Sequence, residues 1–264
     1  MKNAVLIFTV VLTVIFCGCS VKTQEHANIE TAIKSEVAEM IAEELKAEEE
    51  ENKTEEPEPE QNNKKKKKKS AAKPVVTETV IYSQTGEHIL KTVDKLTYVD
   101  DILVVNKTYS IPSSYGKGLT SKTKSAFSKM AGDAKNDGIN LRIASGYRSY
   151  STQKYIYNRY YKRDGKIADT YSARPGHSEH QTGMAIDVNS CNDNFGNTPE
   201  GMWLAEHCAE YGFIIRYPKG KDEITGYKYE PWHIRYVGKE WALKITESGL
   251  CFEEYFGIDS AYKN

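Results

Sequence analysis

This 264-residue chain has only one long apolar run, Ala4 to Phe16, and that run is too short to span a bilayer comfortably. It also lacks an excess of either charge. Thirty-six Lys and Arg against 37 Asp and Glu leave a formal net charge of −1, which argues against a general nucleic-acid binder. Cysteine is scarce, with five in all. Cys17 and Cys19 lie at the end of the apolar run, so Cys191, Cys208 and Cys251 remain, an odd number that permits one pair plus a free thiol but no disulfide framework. None stands at metal-ligand spacing from another. No internal repeat is evident.

What is present divides by composition. Residues 1–19 read as a lipoprotein-type signal peptide: Lys2, the apolar run, then Gly18 as the small residue ahead of Cys19. A plain secretory signal or an uncleaved anchor are the alternatives, and all three place the remainder outside the cytoplasm. Residues 20–74 are dominated by Glu, Lys, Ala and Asn, carry a block from Lys64 to Lys69, and read as a disordered charged tether that cannot bury a core. Within it, Ile29 to Glu50 favours partial helix. The lysine block suits anionic wall polymers or lipid headgroups, but neighbouring acidic residues favour a solvated tether. Residues 75–101 hold short β-prone runs at 79–82 and 96–99 about a turn at Gly86, read as a lead-in to a domain over 102–258.

In that domain the periodicity predicts a helix from Ser121 to Asn136 with Ala126, Phe127, Met130, Ala131 and Ala134 on one face, stopped by Gly138. A strand is predicted from Leu141 to Ala144. A second helix, capped by Ser151 or Thr152, carries Tyr155, Ile156, Arg159 and Tyr160 and is expected to end near Gly165. A third starts at Thr198 and Pro199, where proline's missing donor costs nothing, and ends at Gly212. Final strands and a helix from Glu240 to Ser248 complete an α+β domain.

The run Ser178-Glu179-His180-Gln181-Thr182-Gly183-Met184-Ala185-Ile186-Asp187, answered by Glu230-Pro231-Trp232-His233, reads as a zinc site with its general base. Two imidazoles and one carboxylate satisfy a catalytic Zn²⁺ and leave a fourth position for a water whose pKa the metal lowers. In a strand through Met184 to Asn189, Met184, Ile186 and Val188 face the core while Ala185 and Asp187 share the other side. His180 is an odd seven residues from Asp187, so it must arrive from a loop, with Gly183 supplying the bend. The second alternation turns Trp232, Ile234 and Tyr236 inward and His233 outward, behind Pro231 at the strand's start. Glu230 falls just outside that strand. Lone histidines are more often structural, and His26, His88 and His207 read so, with His177 beside the site or on the surface.

With these segments in view, the chain resembles the VanY-like zinc D,D- and L,D-carboxypeptidases that trim peptidoglycan stem peptides. The resemblance runs from about Val105 to Gly257 and rests on Val105-Asn106-Lys107, Ser145-Gly146-Tyr147-Arg148-Ser149-Tyr150, Ser172 through Gly183, Gly212 through Pro218, and Glu230 through Tyr236. It implies a small antiparallel sheet flanked by helices, of the Hedgehog/D-Ala-D-Ala-peptidase type. It further implies His180, Asp187 and His233 as zinc ligands, Glu230 as catalytic acid/base and Arg148 as the cation near the scissile carbonyl. Gln153 and Ser178 become hydrogen-bonding partners of the substrate's terminal carboxylate. Arg148's place straight after the Gly146 turn also favours a site role.

The activity so implied is removal of the C-terminal D-alanine from stem peptides, with the membrane reached through a lipid anchor and no nucleic-acid partner. An endopeptidase of the same fold would need a cleft open at both ends, and the Gln153 and Ser178 matches favour the exopeptidase. A non-catalytic zinc-binding wall module would more naturally lack Glu230. A cysteine nucleophile paired with His207 is the remote alternative. The choice between D,D- and L,D-peptides turns on pocket shape around one side chain.

Overall fold

The computed structural model describes residues 74–262. The expectations of a signal peptide, a lipid-anchored Cys19 and a charged tether fall on residues outside those described. No helix among the described residues is long and apolar enough to cross a membrane.

Two four-stranded antiparallel sheets carry an α+β fold. The first is a meander of β1 (Val76–Ser83), β2 (Gly86–Val93), β3 (Leu96–Val99) and β4 (Ile102–Val104), paired in chain order. The runs at 79–82 and 96–99 are thus strands of a full sheet rather than isolated pieces of a lead-in. Its last hairpin pairs Val99 with Ile102, across position 101. In β2, paired with both neighbours, only His88 is buried, and apolar Ile89 shares the side of charged Glu87 and Lys91, which blurs the alternation.

The second sheet has the order β5 (Ile143–Ser145), β6 (Ala185–Val188), β8 (His233–Tyr236) and β7 (Phe213–Ile215). Helix α1 (Ser121–Asn136) begins as expected, its cap Thr120 accepting from the Thr123 amide at 3.1 Å. Helix α2 (Tyr150–Asp164) begins earlier than expected. Its cap is Ser149, which accepts from the Thr152 amide at 3.1 Å, and neither Ser151 nor Thr152 fills that position. Gln153 and Tyr157 form its buried side, whereas Tyr155 is 45% exposed. Aromatic residues ring this helix, so apolar spacing does not single out one face. Strand β5 starts at Ile143, after Leu141 has turned into the core.

Helices α3 (Pro199–His207), α4 (Asp222–Thr225), α5 (Lys239–Ser248) and α6 (Phe252–Phe256) follow. Thr198 caps α3 through the Gly201 amide at 3.1 Å, with proline in its first turn as predicted. The five-residue α6 was not anticipated, because so short an element gives no period to read.

One core joins Phe127, Met130 and Ala134 of α1 to Ile186, Val188 and Ile234 of the second sheet and to Leu204 of α3. A second packs Val99, Ile102 and Val104 of the meander against Ala242 and Ile245 of α5 and Phe252 and Phe256 of α6. The even-numbered residues of β6 and β8 are therefore spent on the first core. Their odd-numbered neighbours face the other way.

Candidate metal centre

On that other face Asp187 and His233 are direct cross-strand partners, so their side chains meet without any loop having to place them. His180 arrives from a tight 3-10 turn, Glu179–Thr182, as the odd spacing required. The turn ends at Gly183 with φ +68°, where a Cβ would lie 2.0 Å from the Gly118 carbonyl oxygen. Only glycine fits such a position. The result is a buried group in which one ligand atom from each of His180, Asp187 and His233 lies within 4.8 Å of the others.

The hydrogen bonds fix which nitrogen each imidazole offers. His180 Nδ1 lies 2.6 Å from the Gly146 carbonyl, which only accepts, so Nδ1 carries the proton and Nε2 turns its lone pair toward Asp187, 3.2 Å away. His233 is reversed, with Nδ1 3.1 Å from Asp187 and Nε2 3.3 Å from Glu179. Two imidazole nitrogens and a carboxylate oxygen converge in a buried space, and this donor set fits a divalent ion such as zinc with a position left for solvent or substrate.

The charges respond to this crowding. Burial lowers the His180 pKa, leaving a neutral ring at pH 7. Burial also opposes charge on His233, yet its hydrogen bonds to Asp187 and Glu179 prevail and carry it up to about 9. Asp187 sits well below the usual carboxylate range: burial resists ionisation, but the attraction and hydrogen bonds of His180 and His233 outweigh it. Glu230 behaves oppositely. Buried, with its carboxylate 3.9 Å from His233 Nδ1, it is pushed up to about 7, chiefly by burial and then by the Asp187 charge.

Arg148 stands 3.8 Å from Asp187, held by bonds of 3.0 Å from its guanidinium to Ser145 Oγ and to Gln153 Oε1. Gln153 is buried and its amide nitrogen donates to the Ala173 carbonyl at 2.6 Å, so both ends of the amide are engaged within the protein. Ser178 is buried directly before the 3-10 turn, and its hydroxyl caps no donor of that turn. His177 stays outside the cluster, with Nδ1 2.8 Å from the Asn106 carbonyl. His88 is structural, bonded to Asp100 at 2.6 Å, and His207 lies near Glu210.

Sequence reasoning passed over the groups beneath the ligands. Glu179 is buried and receives Arg216 Nε and Arg235 Nη1 at 2.8 Å each, besides His233. The strand period that turned His233 outward also places Arg235 on its face, a signal that was available. Tyr217 packs against the His233 ring with centroids 5.0 Å apart. Cys191, an exposed residue, lies near the site too: desolvation of its sulfur and then the Asp187 charge push the thiol up to about 12. Cys208 and Cys251 are buried, and all three are free thiols.

The model of the VanY family, described as D-alanyl-D-alanine carboxypeptidase, matches residues 116–239, the stretch that contains every one of these site groups. A putative carboxypeptidase of Bacillus subtilis, YodJ, is 38% identical over 197 residues, covering 63% of this chain and 72% of that protein. Among solved structures, the LdcB LD-carboxypeptidase, described in terms of peptidoglycan recognition, aligns with a TM-score of 0.56 and 41% identity over 70% of this chain and 94% of that one. A mutant of the vancomycin-resistance D,D-pentapeptidase VanY in complex with Zn(II) aligns with a TM-score of 0.50 and 38% identity, over 58% of this chain and 96% of that one. The chain belongs to the VanY-like carboxypeptidase family.

Proposed function

We propose that this protein is a zinc-dependent carboxypeptidase that removes the C-terminal D-alanine from peptidoglycan stem peptides outside the cytoplasm. The observation that carries the reading is the convergence of His180, Asp187 and His233 within 4.8 Å, with Glu230 beside them and held near neutrality. A bound zinc ion would supply Lewis-acid polarisation of the scissile carbonyl and acidify water in the open position.

The chain's own groups do the rest. With a pKa of about 7, Glu230 is matched to accept a proton from the attacking water and return it to the leaving amine at neutral pH. Arg148, fixed by Ser145 and Gln153, sets a positive charge beside Asp187 where the carbonyl oxygen develops negative charge. Gln153, engaged at both ends, acts on substrate through Arg148, while Ser178 offers its hydroxyl to the substrate's terminal carboxylate. The buried setting strengthens each of these contacts.

The decisive experiment incubates the soluble domain with defined pentapeptide and tetrapeptide muropeptides and weighs the products. Loss of one alanine from either is the expected outcome, and the substrate that reacts assigns D,D- or L,D-specificity. Release of internal fragments instead would point to an endopeptidase.

A further inference from the structure

We propose that Glu179 is a positioning residue for the metal centre: a buried carboxylate, held in place by two arginines, that fixes His233 in the tautomer presenting Nδ1 to the metal. This rests on the metal-site reading above.

His233 has two nitrogens and two carboxylate neighbours. Nδ1 faces Asp187 at 3.1 Å, on the side shared with His180, and Nε2 faces Glu179 at 3.3 Å, on the side away from it. A neutral imidazole carries one proton, and it can bind a metal only through the bare nitrogen. Whichever partner holds that proton decides whether His233 is a ligand. With Asp187 turned to the metal beside His180, Glu179 is the carboxylate left to accept from Nε2–H, and the Nδ1 lone pair stays for the ion.

Glu179 can do this only if it is held from rotating into the site as a ligand itself. Its Oε1 takes one bond from Arg216 and one from Arg235, each of 2.8 Å, leaving Oε2 for His233. Arg216 is itself anchored by Glu253 of α6 at 2.8 Å, and Glu253 accepts from Asn106 at 3.0 Å. Two buried guanidiniums thus face two buried carboxylates.

The test must separate this role from general support of the fold, since removing one carboxylate from a buried cluster leaves an unpaired guanidinium. Glu179→Met combined with Arg235→Met removes one charge of each sign and leaves the Arg216–Glu253 pair. For this double variant, zinc affinity is measured by competition with a chromogenic chelator, alongside circular dichroism and ¹⁵N shifts of the His233 ring. The expected result is a folded protein whose zinc dissociation constant rises about 10–100-fold, with the Nε2–H signature of His233 lost. Glu179→Gln, whose amide oxygen can still accept from Nε2–H, is expected to retain that signature and to fall between the double variant and wild type in affinity. A folded double variant that binds zinc as wild type does would overturn the proposal while sparing the metal site. Wild-type protein that binds no zinc would remove the metal-site reading itself, a result distinguishable from the first. If the double variant fails to fold, Glu179→Gln carries the test: wild-type affinity together with a metal-bound ring protonated at Nδ1 would overturn the proposal.

Discussion

The two faces of the strand pair β6 and β8 are made from alternate residues of the same short segments, yet they bury opposite kinds of matter. One face gives Ile186, Val188 and Ile234 to an apolar core. The other buries Asp187, His233 and Arg235, with His180 and Glu179 packed above them. The apolar face needs only shape and area, because transfer from water stabilises each side chain separately, by about 1.5–3 kcal/mol for a large aliphatic group. The polar face gains nothing from burial as such. Every charge there must find a partner, so it is built as a network in which removing one member strands another.

Breaking the polar face at the metal has the largest expected effect. Chelation should abolish peptidase activity and added Zn²⁺ should restore it, whereas His233→Ala should lose both activity and metal irrecoverably. Metal content measured beside turnover checks both, and full activity in a metal-free sample would end the metallopeptidase reading.

Glu230→Ala sharpens the comparison by removing a carboxylate that is no ligand. Zinc should stay bound while turnover falls on the order of 10²–10⁴-fold. Loss of zinc in this variant would make Glu230 a ligand and force the set to be redrawn. Arg148→Ala should likewise keep its metal, with turnover lower on the order of 10²–10³-fold because a charge facing the developing oxyanion is gone. A purely structural Arg148 would instead show as a fall in melting temperature with turnover intact.

On the apolar face, Met130→Ala should cost about 2–5 kcal/mol in denaturant unfolding of the zinc-loaded protein, through lost burial and the cavity left behind. Zinc stoichiometry should not change. A smaller effect separates the faces by pH in metal-free protein. Glu230 is raised from 4.5 to about 7, so its contribution to stability is complete below pH 4.5 and is lost as pH rises through 7. His233, raised from 6.5 to about 9, contributes fully below pH 6.5 and loses that contribution as pH rises through 9. The melting temperature of the chelated protein should therefore drift down across this range through these two groups. Glu230→Gln should flatten the drift between pH 4.5 and 7 alone, and an unchanged slope there would show that Glu230 is not the group responsible.

Much of this arrangement was legible because strand period and side-chain chemistry agree. Asp187 and His233 each sit between core residues, so alternation alone turns them to a common side, and the odd interval to His180 demands the loop that is found. Helix α1 was readable through its regular apolar face and closing glycine. Helix α2 was not: tyrosines surround it, and three closely spaced hydroxyl residues, Ser149, Ser151 and Thr152, compete as caps. The meander was only partly visible because β2 sets apolar Ile89 and Val93 on the same side as charged Glu87 and Lys91, which blurs its period. Glu179 was hidden for another reason. Its meaning lies in Arg216 and Arg235, which are 37 and 56 positions away in sequence.

The bond between Glu253 and Arg216 has a consequence for the order of synthesis. Glu253 follows Arg216 by 37 positions, and Ser83 donates to the Tyr255 carbonyl 172 positions later. A nascent chain can form α1 and pair β6 with β8 before α6 has been made. Until then, however, the buried guanidiniums outnumber the carboxylates beneath the ligands. Assembly of a settled centre is thereby deferred until α6 has been made, and a product truncated before Glu253 has the ligands but lacks the charge that balances their support.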